Sequence, residues 1–237
     1  MKVCILGDGL SSLTLAKALV NQKVCVDVLL QKKHQKLTQS RTIGISKSNV
    51  EFFNKSIINI KKLIWKLKKI EIFTDNLKNE KLLNFENDKG LFSIVKNHEL
   101  YQILENNLLK NKLFKKKILI KKKLCSVDDY DLIINCDYFH PFTKKYFSKK
   151  IIKNYNSFAY TTIIQHEKII NDVAVQVFTK KGPLAFLPIS NNKTSIIYSI
   201  YNPDDKKKEN IEELIRSYNF KYKINKIGKI DSFELRS

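Results

Sequence analysis

The first thirty residues carry two solid apolar runs with a helical stripe between them. Val3-Cys4-Ile5-Leu6 shows no polar alternation, so it reads as a strand buried on both faces, as in a parallel sheet. It breaks into Gly7-Asp8-Gly9-Leu10-Ser11-Ser12, and Leu13-Thr14-Leu15-Ala16-Lys17-Ala18-Leu19 continues with helical spacing. Lys23 to Leu30 is a second buried strand. Strand, glycine loop, helix and strand at this spacing make a βαβ unit.

Further along, Gln39 to Ser46 reads as a short extended segment. Ser46 is placed to cap a helix through Val50, Phe52 and Phe53, and helical spacing continues from Ile57 to Trp65. Ile70–Thr74, Lys81–Phe85 and Leu91–Val95 read as strands, with Asn87-Asp88-Lys89-Gly90 as turn chemistry. A helix over Asn97–Lys110 puts Leu100, Ile103, Leu104 and Leu108 on one face. Lys117–Ile120 and Asp131–Cys136 return to strand. Beyond Tyr155 come longer antiparallel-type strands at Phe158–His166, Val173–Thr179, Leu184–Pro188 and Thr194–Ser199, then a last helix over Lys208–Ser217.

The glycine loop carries the first chemistry. Gly7 allows the tight turn after the strand, and Gly9 leaves room for a pyrophosphate beside the backbone. The helix N-terminus, with Leu10 and Ser11 in its first turn, presents unpaired N–H groups to the phosphates. Ser12 stands at the usual third glycine, where it can cap the helix but packs less closely on the strand. At the end of the second strand, where a carboxylate commonly holds a ribose, stands Gln31, followed by Lys32; the Gln31 amide can still accept a hydrogen bond.

Composition narrows the class. The 237 residues hold an ample core and no run of about 18 apolar residues that would span a membrane. The N-terminal apolar stretch is strand plus glycine loop rather than a signal peptide. Cys4, Cys25, Cys125 and Cys136 show no CxxC pairing, so they read as reduced core thiols of a cytoplasmic protein, without a metal site. The net charge of +21 invites nucleic acid as a partner, but only Arg41, Arg216 and Arg236 of the 44 basic residues are arginine, the residue favoured for bidentate grip. The lysine runs at 115–117, 121–123 and 206–208 read instead as solvated turns and faces, so no nucleic acid is expected. His34, His98, His140 and His166 are scattered and read as surface or core histidines.

Taken in order, these pieces resemble the FAD-dependent aromatic monooxygenases of ubiquinone biosynthesis, in the p-hydroxybenzoate-hydroxylase-like group. Arg41-Thr42-Ile43-Gly44-Ile45-Ser46-Lys47-Ser48 resembles that family's Arg-x-x-Ala-Leu-Ser-x-x-Ser stretch, whose arginine approaches the FAD. Ile94 to Leu100 is similar to its Val-Glu-Asn-Arg-x-Leu helix entry, with His98 where arginine is common. The most specific match runs from Gln176-Val177-Phe178 through Gly182-Pro183-Leu184-Ala185-Phe186-Leu187-Pro188 to Ile196-Ile197-Tyr198-Ser199. Leu132 to Asp137 keeps the strand and aspartate of a second FAD motif, but Tyr138 replaces its glycine, Pro141 falls near its serine and Lys144 near its arginine. Against that resemblance the chain reads as lacking the C-terminal part of the family fold, with its Gly-Asp-Ala-Ala-His region.

The resemblance implies an α/β fold: a Rossmann-like FAD-binding domain (1–70 and 96–150) interleaved with a mixed, largely antiparallel β-sheet substrate domain (71–95 and 151–237). It assigns Gly7, Gly9, Leu10, Ser11 and Ser12 to the pyrophosphate turn, Gln31 to the adenosine ribose, and Lys32, Arg41, Thr42 and His98 to FAD binding. Asp137 falls to the second motif, and Pro183–Pro188 to the sheet facing flavin and substrate. It further implies NAD(P)H as co-substrate, a polyprenylated phenol as substrate, no separate catalytic constellation, and association with the membrane surface or with a partner chain completing the fold. Two other readings stay open: a non-catalytic remnant that keeps the fold without FAD, and a lysine-rich binding module.

Overall fold

The computed structural model describes residues 1–30, 38–75, 80–118, 129–147, 153–201 and 210–236. In chain order the elements are β1 (Lys2–Leu6), α1 (Leu10–Asn21), β2 (Cys25–Leu30), β3 (Thr42–Ser46), α2 (Lys47–Phe52), a π-helical turn (Phe53–Ile57), β4 (Ile64–Leu67), β5 (Lys69–Thr74), β6 (Lys81–Glu86) and β7 (Phe92–Lys96). There follow α3 (Asn97–Leu109), β8 (Phe114–Ile118), β9 (Leu132–Asn135), α4 (Pro141–Tyr146), β10 (Asn154–His166), β11 (Val173–Thr179), β12 (Gly182–Ser190), β13 (Lys193–Tyr201), α5 (Ile211–Ser217), β14 (Ile224–Ile227) and β15 (Asp231–Arg236).

The chain forms two compact units, each assembled from separate segments. The first unit takes Met1–Leu37, Ser48–Lys62 and His98–Lys150. Its described strands make one sheet in the order β8-β2-β1-β9, parallel throughout. Val3 to Leu6 are fully buried, which is why this strand needs apolar side chains at every position rather than every second one. Cys4 and Leu6 pack on one side with Leu29, Phe142 and Ile133. Helix α1 buries Leu13, Ala16 and Val20, and α3 buries Leu100, Leu104 and Leu108 at helical spacing. Tyr101 is buried as well, which the aliphatic stripe alone does not indicate.

The second unit takes Thr38–Lys47, Leu63–Asn97 and Ile151–Ser237. Its larger sheet runs β14-β10-β13-β12-β11-β5-β6, with β15 also on β10; β5 lies parallel to β11 and the other pairings are antiparallel. One face packs Val175, Phe186, Ile196 and Tyr198 with Ile211 and Ile215 of α5. The opposite face packs Ala174, Ile163, Leu187 and Ile189 with Leu67, Ile94 and Trp65 of the small β3-β7-β4 sheet. Two-sided burial of this kind gives the alternating pattern of β12 its meaning: Leu184 and Phe186 go one way, Ala185 and Leu187 the other.

Several expectations change. The helix expected to continue from Ile57 to Trp65 stops at the π-helical turn, and Ile64–Leu67 pairs with β7 instead. Strand pairing alternates the side chains there, so Leu67 is buried, Lys66 exposed, and the Trp65 indole N–H donates to the Asn171 carbonyl at 2.6 Å. The segments 38–47 and 63–70, expected in the nucleotide domain, supply β3, β4 and the start of β5 to the second unit's sheets, which moves them there. The strand expected at 117–120 starts at Phe114, whose ring is buried, and residues 119–128 lie outside the described residues. Of the three described cysteines only Cys4 is a core thiol. Cys25 opens β2 and Cys136 follows β9, and both are exposed at strand ends. The last helix begins at Ile211, where the Asn210 side chain caps it by accepting from the Glu213 N–H at 3.3 Å. Helix α4 and strands β14 and β15 carry too little periodicity to be legible beforehand. Among the described residues no helix is long and apolar enough to cross a membrane, and no cluster of metal-ligating side chains is present.

Candidate functional site

The carboxyl ends of β1 and β9 lie side by side in the first unit, and the loops leaving them form the candidate site. Gly7 has φ +96°, a left-handed conformation that glycine adopts without strain. A side chain there would also collide with its neighbour, because a Cβ on Gly7 would fall 3.1 Å from the Asp137 Cβ and 3.3 Å from the Asp137 nitrogen. The turn is pinned on both sides: the Gly7 N–H donates to Leu29 O at 2.9 Å and the Cys136 N–H to Leu6 O at 2.9 Å. Gly9 is different. Its backbone is extended at φ −66° and ψ 174°, and a Cβ there would meet nothing within 4 Å.

Gly9 is the N-cap of α1, and no side chain caps this end. This corrects the expected role of Ser12, which sits one turn in and is buried rather than capping. The first intrahelical bond is Leu13 N–H to Gly9 O at 3.0 Å, so the N–H groups of Leu10, Ser11 and Ser12 have no partner within the helix. No acidic residue lies in the first turn. Donors without a partner in the helix, the positive end of a twelve-residue helix and space over Gly9 that no described atom fills together suit an anion such as a diphosphate.

Asp8, between the two glycines, is buried, and its charge is matched inside the unit. Its Oδ2 lies 2.9 Å from Lys116 Nζ on β8 and accepts from the Tyr101 hydroxyl at 3.2 Å. Lys116 also pairs with Glu105 and hydrogen-bonds the Tyr101 oxygen at 3.0 Å. Burial opposes the Lys116 charge, but the bonds to Glu105, Tyr101 and Asp8 outweigh it and hold the ammonium above the usual lysine range. Burial chiefly pushes the Tyr101 hydroxyl up to about 12. Of the run 115–117, Lys115 and Lys117 are exposed as expected, Lys117 reaching the buried Asp27 carboxylate at 3.1 Å, whereas Lys116 is turned into the unit. In sequence the signal was the carboxylate within an otherwise uncharged glycine loop, which requires a cation from elsewhere in the fold.

Asp137 closes its own turn. Its Oδ1 accepts from the Phe139 N–H at 2.9 Å, and its carbonyl oxygen accepts from the His140 N–H at 3.0 Å. His140 then caps α4, its Nδ1 accepting from the Phe142 N–H at 3.2 Å, and Pro141 takes the first helical position. Burial lowers the His140 pKa, with Asp137 opposing. Tyr138, which stands in for the resembled glycine, is half exposed and does not occupy a left-handed backbone conformation, so the turn itself does not demand glycine there.

Gly7, Gly9, Leu10, Ser11, Ser12 and Asp137 thus come together, and half-buried His98 lies in the same unit, in the first turn of α3. Arg41 and Thr42 belong to the second unit. Arg41 is exposed, with its guanidinium 5.1 Å from the Phe233 ring centre, and the Thr42 hydroxyl lies 3.0 Å from that of Ser195. Gln31 and Lys32 lie outside the described residues. Pro183–Pro188 lies in β12 of the second unit, where Leu184 and Phe186 pack on the α5 side and Leu187 on the side of the small sheet.

These two units, a parallel glycine-loop sheet interleaved with a large antiparallel-rich sheet, define an α/β fold of the FAD-containing monooxygenase type. The chain superposes on Klebsiella pneumoniae HpxO complexed with FAD and uric acid with TM-score 0.72 and 12% identity, covering 100% of this chain and 68% of that one. A putative FAD-containing monooxygenase from Photorhabdus luminescens gives 0.69 and 12%, covering 100% and 76%. PqsL, a probable FAD-dependent monooxygenase from Pseudomonas aeruginosa, gives 0.66 and 12%, covering 92% and 62%. The chain spans 61% of a further HpxO structure with FAD and 57% of FqzB. No protein-family profile and no curated protein sequence matches it.

Proposed function

We propose that the chain is the nucleotide-binding and substrate-sheet portion of an FAD-dependent monooxygenase that hydroxylates an aromatic ring. The observation that carries this reading is the uncapped N-terminus of α1 beneath open space at Gly9, next to a Gly7 turn that only glycine fits. The residues present suit the diphosphate of FAD: Leu10, Ser11 and Ser12 offer N–H donors, and Gly9 allows close approach. When bound, FAD supplies the redox chemistry that activates oxygen for transfer to the ring. The chain's own part is to hold the diphosphate at α1; the role of its larger sheet toward the substrate rests on the resemblance of Pro183–Pro188.

The finer reading rests on resemblance. Gly182–Pro188 and Arg41–Ser48 support a polyprenylated phenol of quinone biosynthesis as substrate, with NAD(P)H as reductant. An apolar tail on such a substrate fits a chain that works at a membrane surface.

The test is the visible absorbance spectrum of the purified chain before and after addition of FAD. Bands near about 370 and 450 nm that stay with the protein through desalting are expected. A protein that remains colourless would leave the fold without its cofactor and overturn the reading.

A further inference from the structure

Asp8 poses an electrostatic problem that the fold solves at a distance. It precedes the N-cap of α1 by one residue, so its carboxylate stands at the helix end that the proposed reading gives to a diphosphate. A free anion there would repel that ligand and compete for the positive helix end. Instead Asp8 is turned inward, 7% exposed, against Lys116 Nζ at 2.9 Å and the Tyr101 hydroxyl at 3.2 Å. Lys116 comes from β8, separated from β1 by β2, and its side chain is only 16% exposed. Glu105 and Tyr101 of α3 bond the same ammonium.

We infer that Lys116 is a positioning residue for the glycine loop: by holding and neutralising Asp8 it keeps the N-terminus of α1 available to a diphosphate. The inference rests on the reading of this loop as an FAD site. Lys116 acts through Asp8, so its effect depends on the charge of the ligand and vanishes when the Asp8 charge is removed.

The experiment measures binding of FAD, ADP and adenosine, with thermal midpoints, for the wild-type chain, Lys116→Met, Asp8→Asn and the double variant. Lys116→Met is expected to weaken FAD and ADP by about tenfold or more at low salt, because the unmatched Asp8 carboxylate leaves the interior and stands in water beside the ligand. Added salt should shrink that loss as screening sets in. Adenosine, which carries no phosphate, should change by less than about twofold because the charge term is absent. The double variant should recover diphosphate binding to within about threefold. Lys116→Arg, which keeps the charge, covers the case in which the methionine variant does not fold, and it should bind ADP like the wild type.

Equal losses for adenosine and ADP, or no recovery in the double variant, would reduce Lys116 to a structural role and overturn the inference. Unchanged ADP affinity in Lys116→Met would do the same while leaving the FAD reading intact. A wild-type chain that binds neither FAD nor ADP would remove the reading and the inference together, and it is recognised in the first arm.

Discussion

Gly7 and Asp137 meet where two parallel strands end, so closely that a Cβ on the first would fall 3.1 Å from the Cβ of the second. The contact joins the glycine loop after β1 to the turn after β9, and it separates the roles of the two loop glycines. Gly7 is required by the fold, whereas Gly9, with open space around its missing side chain, is free to serve a ligand.

The first prediction follows from that separation. Gly7→Ala combines a positive φ with a close contact and should lower stability by about 1–3 kcal/mol. Gly9→Ala should cost less than about 1 kcal/mol, because its backbone angles suit any residue and alanine is only a somewhat poorer N-cap. Yet it should weaken FAD binding, since the methyl group occupies the space offered to the diphosphate. Urea unfolding and FAD titration of both variants test the pair; equal stability losses would refute it.

Gly182 is predicted to be the least replaceable glycine of the second unit. It lies at φ +138°, and a Cβ there would run into the Ser199 carbonyl oxygen on the neighbouring strand β13. Gly182→Ala should therefore destabilise by about 3 kcal/mol or more. This accounts for the glycine that opens the Gly-Pro-Leu-Ala-Phe-Leu-Pro string without any appeal to a ligand. A thermal midpoint close to that of the wild type would contradict it.

Asn171→Ala should be among the most destabilising polar substitutions. The Asn171 side chain donates to Ser190 O at 2.8 Å and to the Thr194 hydroxyl at 3.0 Å, and it accepts from the Tyr222 hydroxyl at 3.0 Å. Asn171, Thr194 and Tyr222 are buried, and burial pushes the Tyr222 hydroxyl up to about 12. Leaving these groups unpaired should lower stability by about 2–4 kcal/mol. Chemical denaturation measures it, and a change below the range of ordinary surface variants would refute the hub role.

Stability should fall in mild acid partly through His140. Burial holds its folded pKa below the unfolded value, so above about pH 6.5 both states are neutral and nothing is lost. As the pH drops through that point the unfolded chain takes up a proton that the folded chain refuses, and stability declines until the lowered folded pKa is reached. His140→Asn keeps an acceptor for the Phe142 N–H but removes the titration. Its urea midpoint should fall less between about pH 7 and 5 than that of the wild type. Parallel curves would show that His140 does not carry the effect.

Much of this was legible in the chain because it is local. The run Val3–Leu6, the glycine loop and the Leu100–Leu104–Leu108 stripe each carry their own periodicity, and the strand at Val173–Thr179 was located to the residue. The reading of 57–65 as helix failed because lysines interrupt its apolar pattern, and pairing with β7 outweighed local preference. Helix α4 was missed because, among its described side chains, only Phe142 and Thr143 are buried, too few for a period.

The sequence by itself determined which backbone positions can turn, approach a ligand or pass through a core, since those follow from glycine placement and hydrophobic period. Only the tertiary structure decided which charges meet. Asp8 and Lys116 are 108 positions apart in a chain with 41 lysines, and no local property marks Lys116 among them. Strand order decides it: β8 and α3 bring one ammonium beneath the loop, and burial makes that pairing obligatory, because an unmatched carboxylate cannot stay in a dry interior.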